Sequence, residues 1–531
     1  MPKKGIQSKQ YEDLGKGINT FTRDTMISDN ECMDGWNCWS VGKNSVAKRP
    51  GTVKFAEVAG ASAVDGLGTY YDGTTRKILC MAGGALTDIS SGSSVALSAV
   101  PASAGTFTSG KRTDFVQAGG KTFISNGTDV MRYYDGTTIR EQTGGVIGRY
   151  MIYYKSCLWL TGNTTSANLT RLYRSGSLTN IGNYTYDATA NPLATSVYVA
   201  KDDGQILNGF FKHQDYLYPV KENSLWRAVV GTDEFQLITL ELVDPARGTD
   251  SHHSIDSVEN DNFMFNEAGV YATGYEPDVL SQIRTNIISL RVDDKLKSIQ
   301  KDRLDDVEAI FYDNHYYLSY TSGGGTYNDK MLVYDRQRLG WWEFQVADDS
   351  GNYIGSSCFT EWKDTTGETK LYWGSPTDGS VYYFDSTVKQ DPGYQISSSY
   401  KTKKFGLEKE FSQTKFLLDT ILYFGRTPGE VTVTVYIDGK AAKTKTISIG
   451  ATGSAGIGIG KIGVEKIGVG SGSLITSDTG GGDFVKIPLN KIGRNVQVEI
   501  TDTSGTKSWE LNAIDFNYKT LSNLYQPNVL T

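Results

Sequence analysis

Through most of its length the chain consists of short apolar-aromatic runs, each ended within a few residues by clusters of Gly, Asp, Asn, Ser and Thr. Runs this short cannot make helices of ordinary length, and the residues that bound them favour tight turns. The pattern is that of many short strands, and the chain is expected to be all-β. Two segments depart from it. Leu290–Glu308 spaces Leu290, Leu296, Ile299, Leu304 and Val307 at uneven, helix-like intervals, and Ser28-Asp29-Asn30-Glu31 has the form of a capping box that opens one or two helical turns.

The short runs recur. Apolar cores centre near Leu79, Phe123, Leu158, Leu217, Met264, Leu318 and Tyr372, at steps of 44, 35, 59, 47, 54 and 54 residues. Most are followed by a second strand, such as Ser224-Leu225-Trp226-Arg227 or Ser380-Val381-Tyr382-Tyr383-Phe384-Asp385; Met331–Asp335 with Gly340-Trp341-Trp342 is the fullest copy. A period of roughly 40–50 residues with four strands per unit predicts a β-propeller of about seven blades over residues 59–395, in which each blade buries its faces against its neighbours. Residues 1–58 are polar and read as an extended N-terminal arm, with Arg49-Pro50-Gly51 as the turn into the first blade. After Asp391-Pro392-Gly393 the pattern changes to strict alternation, as in Val431–Ile437 and Trp509–Tyr518. That alternation predicts a C-terminal β-sandwich domain over 396–531. Its Gly-rich insertion, 450–482, repeats Lys461-Ile462-Gly463-Val464 as Lys466-Ile467-Gly468-Val469. Glycine this dense has little to pack. The tract is a loop without chemistry, or an arm that orders against a neighbouring subunit through Ile462, Val464, Ile467 and Val469.

Composition removes several functional classes. Of 531 residues, 59 are Gly, and Tyr, Phe and Trp number 32, 20 and 9, which is too aromatic for a disordered chain. With 53 basic against 60 acidic residues the net charge is −7, which argues against a basic duplex-DNA binder. Five cysteines without a CxxC pair give neither a disulfide framework nor a zinc site; they read as free thiols in a reducing cytoplasm. The N-terminus lacks the apolar stretch of a signal peptide, and no run is long enough to span a bilayer.

Motifs of catalysis are weak. Gly458-Ile459-Gly460-Lys461-Ile462-Gly463 matches GxGxxG but lies inside the glycine tract with no helix after it, so no nucleotide cofactor is expected. His252-His253, on a strand, would point to opposite faces and could not share a metal; they read as exposed or hydrogen-bonded histidines near a strand start. Asp293-Asp294, Asp305-Asp306 and Glu308 alternate with Arg291, Lys295, Lys297, Lys301 and Arg303, the mark of a solvated, mutually neutralised face. Ser375–Ser380 reads as a hairpin turn. Trp341 and Trp342, with Trp36, Trp39, Trp226 and Trp373, are core or interface residues before they are a glycan platform. No catalytic residue, cofactor or metal is expected.

Gly17-Ile18-Asn19-Thr20, Asp29-Asn30-Glu31, Asn37-Cys38-Trp39 and Ala47-Lys48-Arg49-Pro50-Gly51 together resemble the opening of a group of tailed-bacteriophage virion proteins, with Cys38 where an apolar residue is common. The ending, Trp509–Tyr518 followed by Leu521-Ser522-Asn523, is similar to that group as well, and the Ile/Val-Gly repeat recurs in some members. The group comprises packaged-DNA stabilisation and tail hub or nozzle proteins. The resemblance implies a structural, non-enzymatic component of the virion tail or neck, assembled in the host cytoplasm. It further implies a homo-oligomeric ring, commonly six subunits, below the portal. The partners would be other tail, adaptor or portal proteins and packaged DNA passing without sequence-specific contact. Arg49, Pro50, Gly51, Trp341 and Trp342 are the further interface candidates. A virion-associated, host-surface glycan-binding propeller without catalysis is the alternative, and a glycosidase propeller a third.

Overall fold

The computed structural model describes residues 5–162, 168–230, 238–276, 279–364, 366–407, 413–425, 429–449, 484–502 and 507–521. Strand is their commonest structure, and helix is confined to short turns. The chain divides into two compact units: unit 1 is Met1–Gly51, Leu332–Gly351 and Ser386–Thr531, and unit 2 is Thr52–Met331 and Asn352–Asp385.

Unit 2 is a succession of small antiparallel sheets in chain order, because each short apolar run pairs with the next across a tight turn. The first joins Val64–Tyr71, Arg76–Ala82, Ala85–Asp88 and Val95–Ala96; the second joins Asp114–Ala118, Lys121–Ser125, Arg132–Tyr134 and Thr138–Glu141, with Ser98–Ala99 added in parallel. The third runs Tyr150–Tyr154, Cys157–Thr161, Arg171–Ser177, Thr195–Tyr198, and the fourth Leu207–His213, Tyr216–Lys221, Leu225–Val230, Ile238–Asp244. The fifth runs Asp256–Val258, Asp261–Asn266, Gly269–Glu276, Val279–Ile287. A sixth begins with the hairpin Glu308–Tyr312 and His315–Tyr320. The seventh, Cys358–Lys363, Thr369–Gly374 and Ser380–Asp385, is completed by a strand from far upstream, Gly51–Glu57.

Apolar clusters lie between consecutive sheets. Tyr70, Leu79 and Met81 of the first meet Ile124, Tyr134 and Ile139 of the second; Tyr154, Trp159 and Leu172 of the third meet Leu207, Phe210 and Leu217 of the fourth. Ala56, Trp362, Tyr372 and Val381 of the seventh meet Val64, Ile78 and Cys80 of the first. The leading strands touch one another as well: Val64–Tyr71 packs on Asp114–Ala118 and on Cys358–Lys363, Asp114–Ala118 on Tyr150–Tyr154, and Glu308–Tyr312 on both Asp256–Val258 and Cys358–Lys363. The turn at Ser375–Ser380 is the expected hairpin, closed by Asp378, whose carboxylate accepts from the Ser380 amide at 3.0 Å.

Unit 1 holds two layers of strands. One is Cys38–Val41, Ser45–Lys48, Glu510–Thr520, Lys415–Phe424 and Phe484–Gly493, with Gln7–Tyr11 also paired to Glu510–Thr520. The other runs Gly340–Phe344, Cys32–Trp36, Ser398–Thr402, Val496–Asp502, Gly429–Ile437, Lys440–Ile449. Alternate residues of Gly429–Ile437 are buried, as a strand with one wet face requires.

Several expectations are corrected. Residues 7–57 form five strands inside the sheets. Leu290–Glu308 is no continuous helix: a 3₁₀ turn at Leu290–Val292, a five-residue helix at Asp293–Lys297 and a second 3₁₀ segment at Lys301–Asp306 carry it. Val292, Leu296, Ile299 and Val307 are buried, but no single helical face holds them all. Ser28–Glu31 opens no helix either; its Glu31 carboxylate accepts from the Ser28 amide at 3.3 Å and so closes a turn before a strand.

Candidate functional site

Two places concentrate polar side chains. The first, in unit 1, gathers the residues that carried the resemblance. Gly17, at φ +78°, lies against the strand Gly340–Phe344; a Cβ there would stand 2.5 Å from the Trp341 carbonyl oxygen. The same carbonyl accepts from the Ile18 amide at 2.8 Å. Asn19 donates from its side chain to the Glu31 carboxylate at 2.7 Å. Asn37, also left-handed at φ 52°, donates to the Ser397 carbonyl at 2.8 Å, and its side-chain oxygen accepts from the Gln345 amide and from Arg49 Nε at 2.7 and 2.9 Å. Arg49 is fully buried. Its two terminal nitrogens clasp Asp391 at 2.9 and 2.6 Å, one of them also donating to the Gln345 carbonyl at 2.8 Å. Fork-to-fork pairing of this kind satisfies both charges where water cannot reach them.

Arg49, Pro50 and Gly51 therefore join segments of one unit and are not free to meet a neighbour. The same correction applies to Trp341 and Trp342. They point to opposite sides of one strand, yet both are wholly buried because that strand is covered on each side. Trp341 packs on Tyr334 and Trp342 donates to Ser40 Oγ at 3.1 Å. Trp373 is likewise buried, while Trp36, Trp39 and Trp226 are half-buried, so the six rings make no platform. Ile462, Val464, Ile467 and Val469, with the whole GxGxxG match, lie outside the described residues.

The second place is a cavity of about 520 Å³ in unit 2, walled by the leading strands of the first, second, fifth, sixth and seventh sheets. Arg112, Asp114, His253, Asp256, Glu308 and Glu361 face it, with Phe115, Phe311 and Phe359 between them. Arg112 is ion-paired to Glu308. Asp114 takes the Phe115 amide at 2.9 Å and the Met151 amide of the next sheet at 2.6 Å. Asp256 repeats the arrangement with the Ser257 amide at 2.7 Å and the Phe311 amide at 2.6 Å. Each carboxyl thus staples one leading strand to another.

Burial nevertheless dominates the titration of both: Asp114 is pushed up to about 7 and Asp256 up to about 6. Burial also raises Glu361. It draws His252 down to about 3 and His253 well below the usual imidazole range, with the Arg112 and Arg149 charges adding to the effect. The histidine pair is thus neither exposed nor fully hydrogen-bonded. The residues occupy a 3₁₀ turn, not a strand; His252 packs at a tilt against Tyr150, ring centroids 4.4 Å apart, and His252 Nδ1 and His253 Nε2 have no hydrogen-bond partner among the described residues. Cys358 lines the wall as a thiol raised to about 11 by burial, which makes it a poor nucleophile. None of the five cysteines forms a disulfide, and all are buried. No group of three His, Cys, Asp or Glu side chains among the described residues is arranged to hold a metal ion.

The sequence reading missed this cavity. Asp114, Asp256 and Glu361 come from separate repeats at ordinary strand positions, and only the packing of leading strands brings them to one space. The acidic cluster at 293–308 is the solvated face expected, with Lys297–Asp293 and Arg303–Asp306 pairs at 2.5 and 3.0 Å. Glu308 alone leaves it to enter the cavity.

No protein-family model and no curated protein matches the chain. Solved structures give distant likenesses. The computationally designed Ika8 protein has a TM-score of 0.34 at 8% identity, over 62% of this chain and 99% of that one. The extracellular domain of a putative one-component system from B. thetaiotaomicron has a TM-score of 0.38 at 11% identity, over 76% of this chain and 48% of that one. An exo-beta-1,3-galactanase from Phanerochaete chrysosporium has a TM-score of 0.25 at 10% identity, over 80% and 98%. Overlaps this loose carry no argument about activity.

Proposed function

We propose that the chain is a structural, non-enzymatic protein of a tailed-bacteriophage virion, a tail hub, nozzle or neck component that forms a ring around the DNA channel below the portal. In this reading unit 2 is a seven-bladed β-propeller closed by the strand Gly51–Glu57, and the sheets of unit 1 include a β-sandwich. The leading-strand contacts, which return from the seventh sheet to the first, support the propeller.

The observation that carries the functional reading is the coherence of the motif residues. Gly17, Ile18, Asn19, Glu31, Asn37 and Arg49 are scattered over 33 positions of sequence, yet they fall into two buried hydrogen-bonded groups of unit 1, Gly17–Asn19 with Glu31 and Asn37 with Arg49, each of which bonds to the strand Gly340–Phe344. The cavity carboxyls support the non-enzymatic side, since Asp114 and Asp256 already hold strands together through both oxygens. The test is sedimentation velocity with negative-stain imaging of the purified chain, alone and with neck proteins. A ring several times the 58.2 kDa monomer mass with a central hole is expected; a persistent monomer in every mixture overturns the reading.

A second reading, a virion-associated glycan binder without catalysis, moves from the tryptophans to the cavity, where three phenylalanines stand beside polar groups. A glycan-array signal that Phe359→Ala abolishes would favour it.

A further inference from the structure

Charge is divided unequally between the two units. Unit 1 has 27 Lys and Arg against 23 Asp and Glu, whereas unit 2 has 26 against 37, so their formal charges are +4 and −11. The excess positive charge of unit 1 has a focus. Lys440, Lys443 and Lys445 lie on Lys440–Ile449, the terminal strand of its sheet, and Lys491 and Arg494 lie on and just beyond Phe484–Gly493, the terminal strand of the other. The Lys491 ammonium donates to the Ala442 carbonyl at 3.1 Å, so the two strands are joined at this point. The side chains of Lys440, Lys443, Lys445 and Arg494 form no ion pair among the described residues. Ile492 stands among them at 61% exposure.

Lysines on an edge strand guard it against pairing with another strand. A guard does not require an exposed isoleucine at its centre. A cationic rim around an apolar residue is the anatomy of a docking surface for an acidic protein face.

Unit 2 offers such a face. The first hairpins of its fourth, fifth and sixth sheets turn at Asp215, Glu259 and Asp313, all exposed. These turns are fixed by left-handed residues: Gln214 at φ 49°, Glu259 at 56° and Asp313 at 46°. The fourth and fifth turns share one depression, where Glu259 and Asp261 outnumber the one cation, Lys212. Three acidic turns held by short rigid hairpins make a preorganised anionic rim.

We propose that Lys440, Lys443, Lys445, Lys491 and Arg494, grouped about Ile492, dock on the turns at Asp215, Glu259 and Asp313 of a second copy of the chain. The proposal rests on the ring reading in that it requires self-association. Two unlike patches of one chain make a head-to-tail contact, the type that closes into rings. Charges at its rim are open to salt, and its assembly weakens as the screening length falls to ~3 Å near 1 M salt.

Sedimentation velocity of the full chain tests it with four samples, at low salt and near 1 M NaCl. The wild type assembles at low salt. K443E/K445E/K491E sediments as the 58.2 kDa monomer, and so does D215K/E259K/D313K. An equimolar mixture of the two assembles again, because each reversed patch now meets a reversed partner; this recovery also excludes misfolding as the cause of the loss. If both variants assemble like the wild type, the proposal fails and the ring reading stands. If the wild type is a monomer at every salt concentration and with neck proteins, both fail. If K443E/K445E/K491E assembles normally but loses retention of duplex DNA, the cationic surface serves a polyanion and the proposal is overturned.

Discussion

The two units bury ionisable groups in different ways. Unit 1 buries them as matched pairs: Arg49 with Asp391, and Lys48 with Asp502 at 2.8 Å, every side chain at 2% exposure or less. Unit 2 also has pairs with a buried member, Glu308 with Arg112 and Lys221 with Asp203, but its Asp114 and Asp256 take backbone amides instead of an ion-pair partner, and burial moves both toward neutrality. A pair keeps its charges and fixes one arrangement of distant segments, since each guanidinium or ammonium has one acceptable partner. A carboxyl held by amides can give up its charge and still staple two strands. The Arg49 pair in unit 1 is thus a tie by charge and the Asp114 and Asp256 staples of unit 2 ties by geometry, and the difference is open to test.

The largest effect is expected at Arg49. Arg49→Ala strands Asp391 in the interior and removes the donor to Asn37; the cost is about 3–5 kcal/mol. Denaturant unfolding with hydrogen exchange read by segment should show unit 1 losing protection and unit 2 keeping its own. Equal loss in both units would end the view of Arg49 as a local tie. Next, Gly68→Ala puts a Cβ 2.4 Å from the Phe115 ring, where the first and second leading strands approach. Overpacking there is expected to cost about 1–3 kcal/mol, read as a shift in the unfolding midpoint of unit 2.

The third prediction concerns pH. Asp114 has a raised folded pKa, so its contribution is fully present below about pH 4 and is lost as pH rises to about 7, at up to ~1.4 kcal/mol per pH unit. His252 and His253 have depressed values, so their contribution is present above about pH 6.5 and is lost on acidification. The two slopes oppose each other between about pH 4 and 6.5. Asp114→Asn weakens the falling slope, which Asp256, raised to about 6, still carries, so stability over that window should rise with pH more steeply than in the wild type; a profile parallel to the wild type would show that Asp114 does not titrate as described. The smallest effect belongs to the surface: Lys297→Ala, which breaks an exposed pair with Asp293, is expected to change the midpoint by less than ~0.5 kcal/mol.

The fold class was readable because its signal is local. Alternation in Val431–Ile437 and turn residues such as Asp438-Gly439 act within a few positions, and the strands formed there. The segment Leu290–Glu308 misled for a complementary reason: its apolar residues are buried, but 3₁₀ turns set their direction, and spacing alone cannot tell these from one helix. Arg49 stood out as part of a motif, yet its partner Asp391 lies 342 positions away and nothing near Arg49 names it. The tryptophan pair was legible as core or interface, but the choice of core was not, because the covering of Gly340–Phe344 depends on distant N-terminal residues, among them Gly17, Gly35 and Ser40, the last 302 positions from Trp342.

The sequence by itself determined that the chain is all-β and where many of its strands turn, though not the five strands within residues 7–57. Those properties follow from side-chain size, backbone freedom and alternation over short spans. Only the tertiary structure decided that Arg49 and Trp342 are interior, that Gly51–Glu57 completes a sheet with Ser380–Asp385, and that Asp114, Asp256 and Glu361 share one cavity. Such facts depend on which distant strands become neighbours, and that choice is made by the burial of whole faces, to which no single segment holds the key.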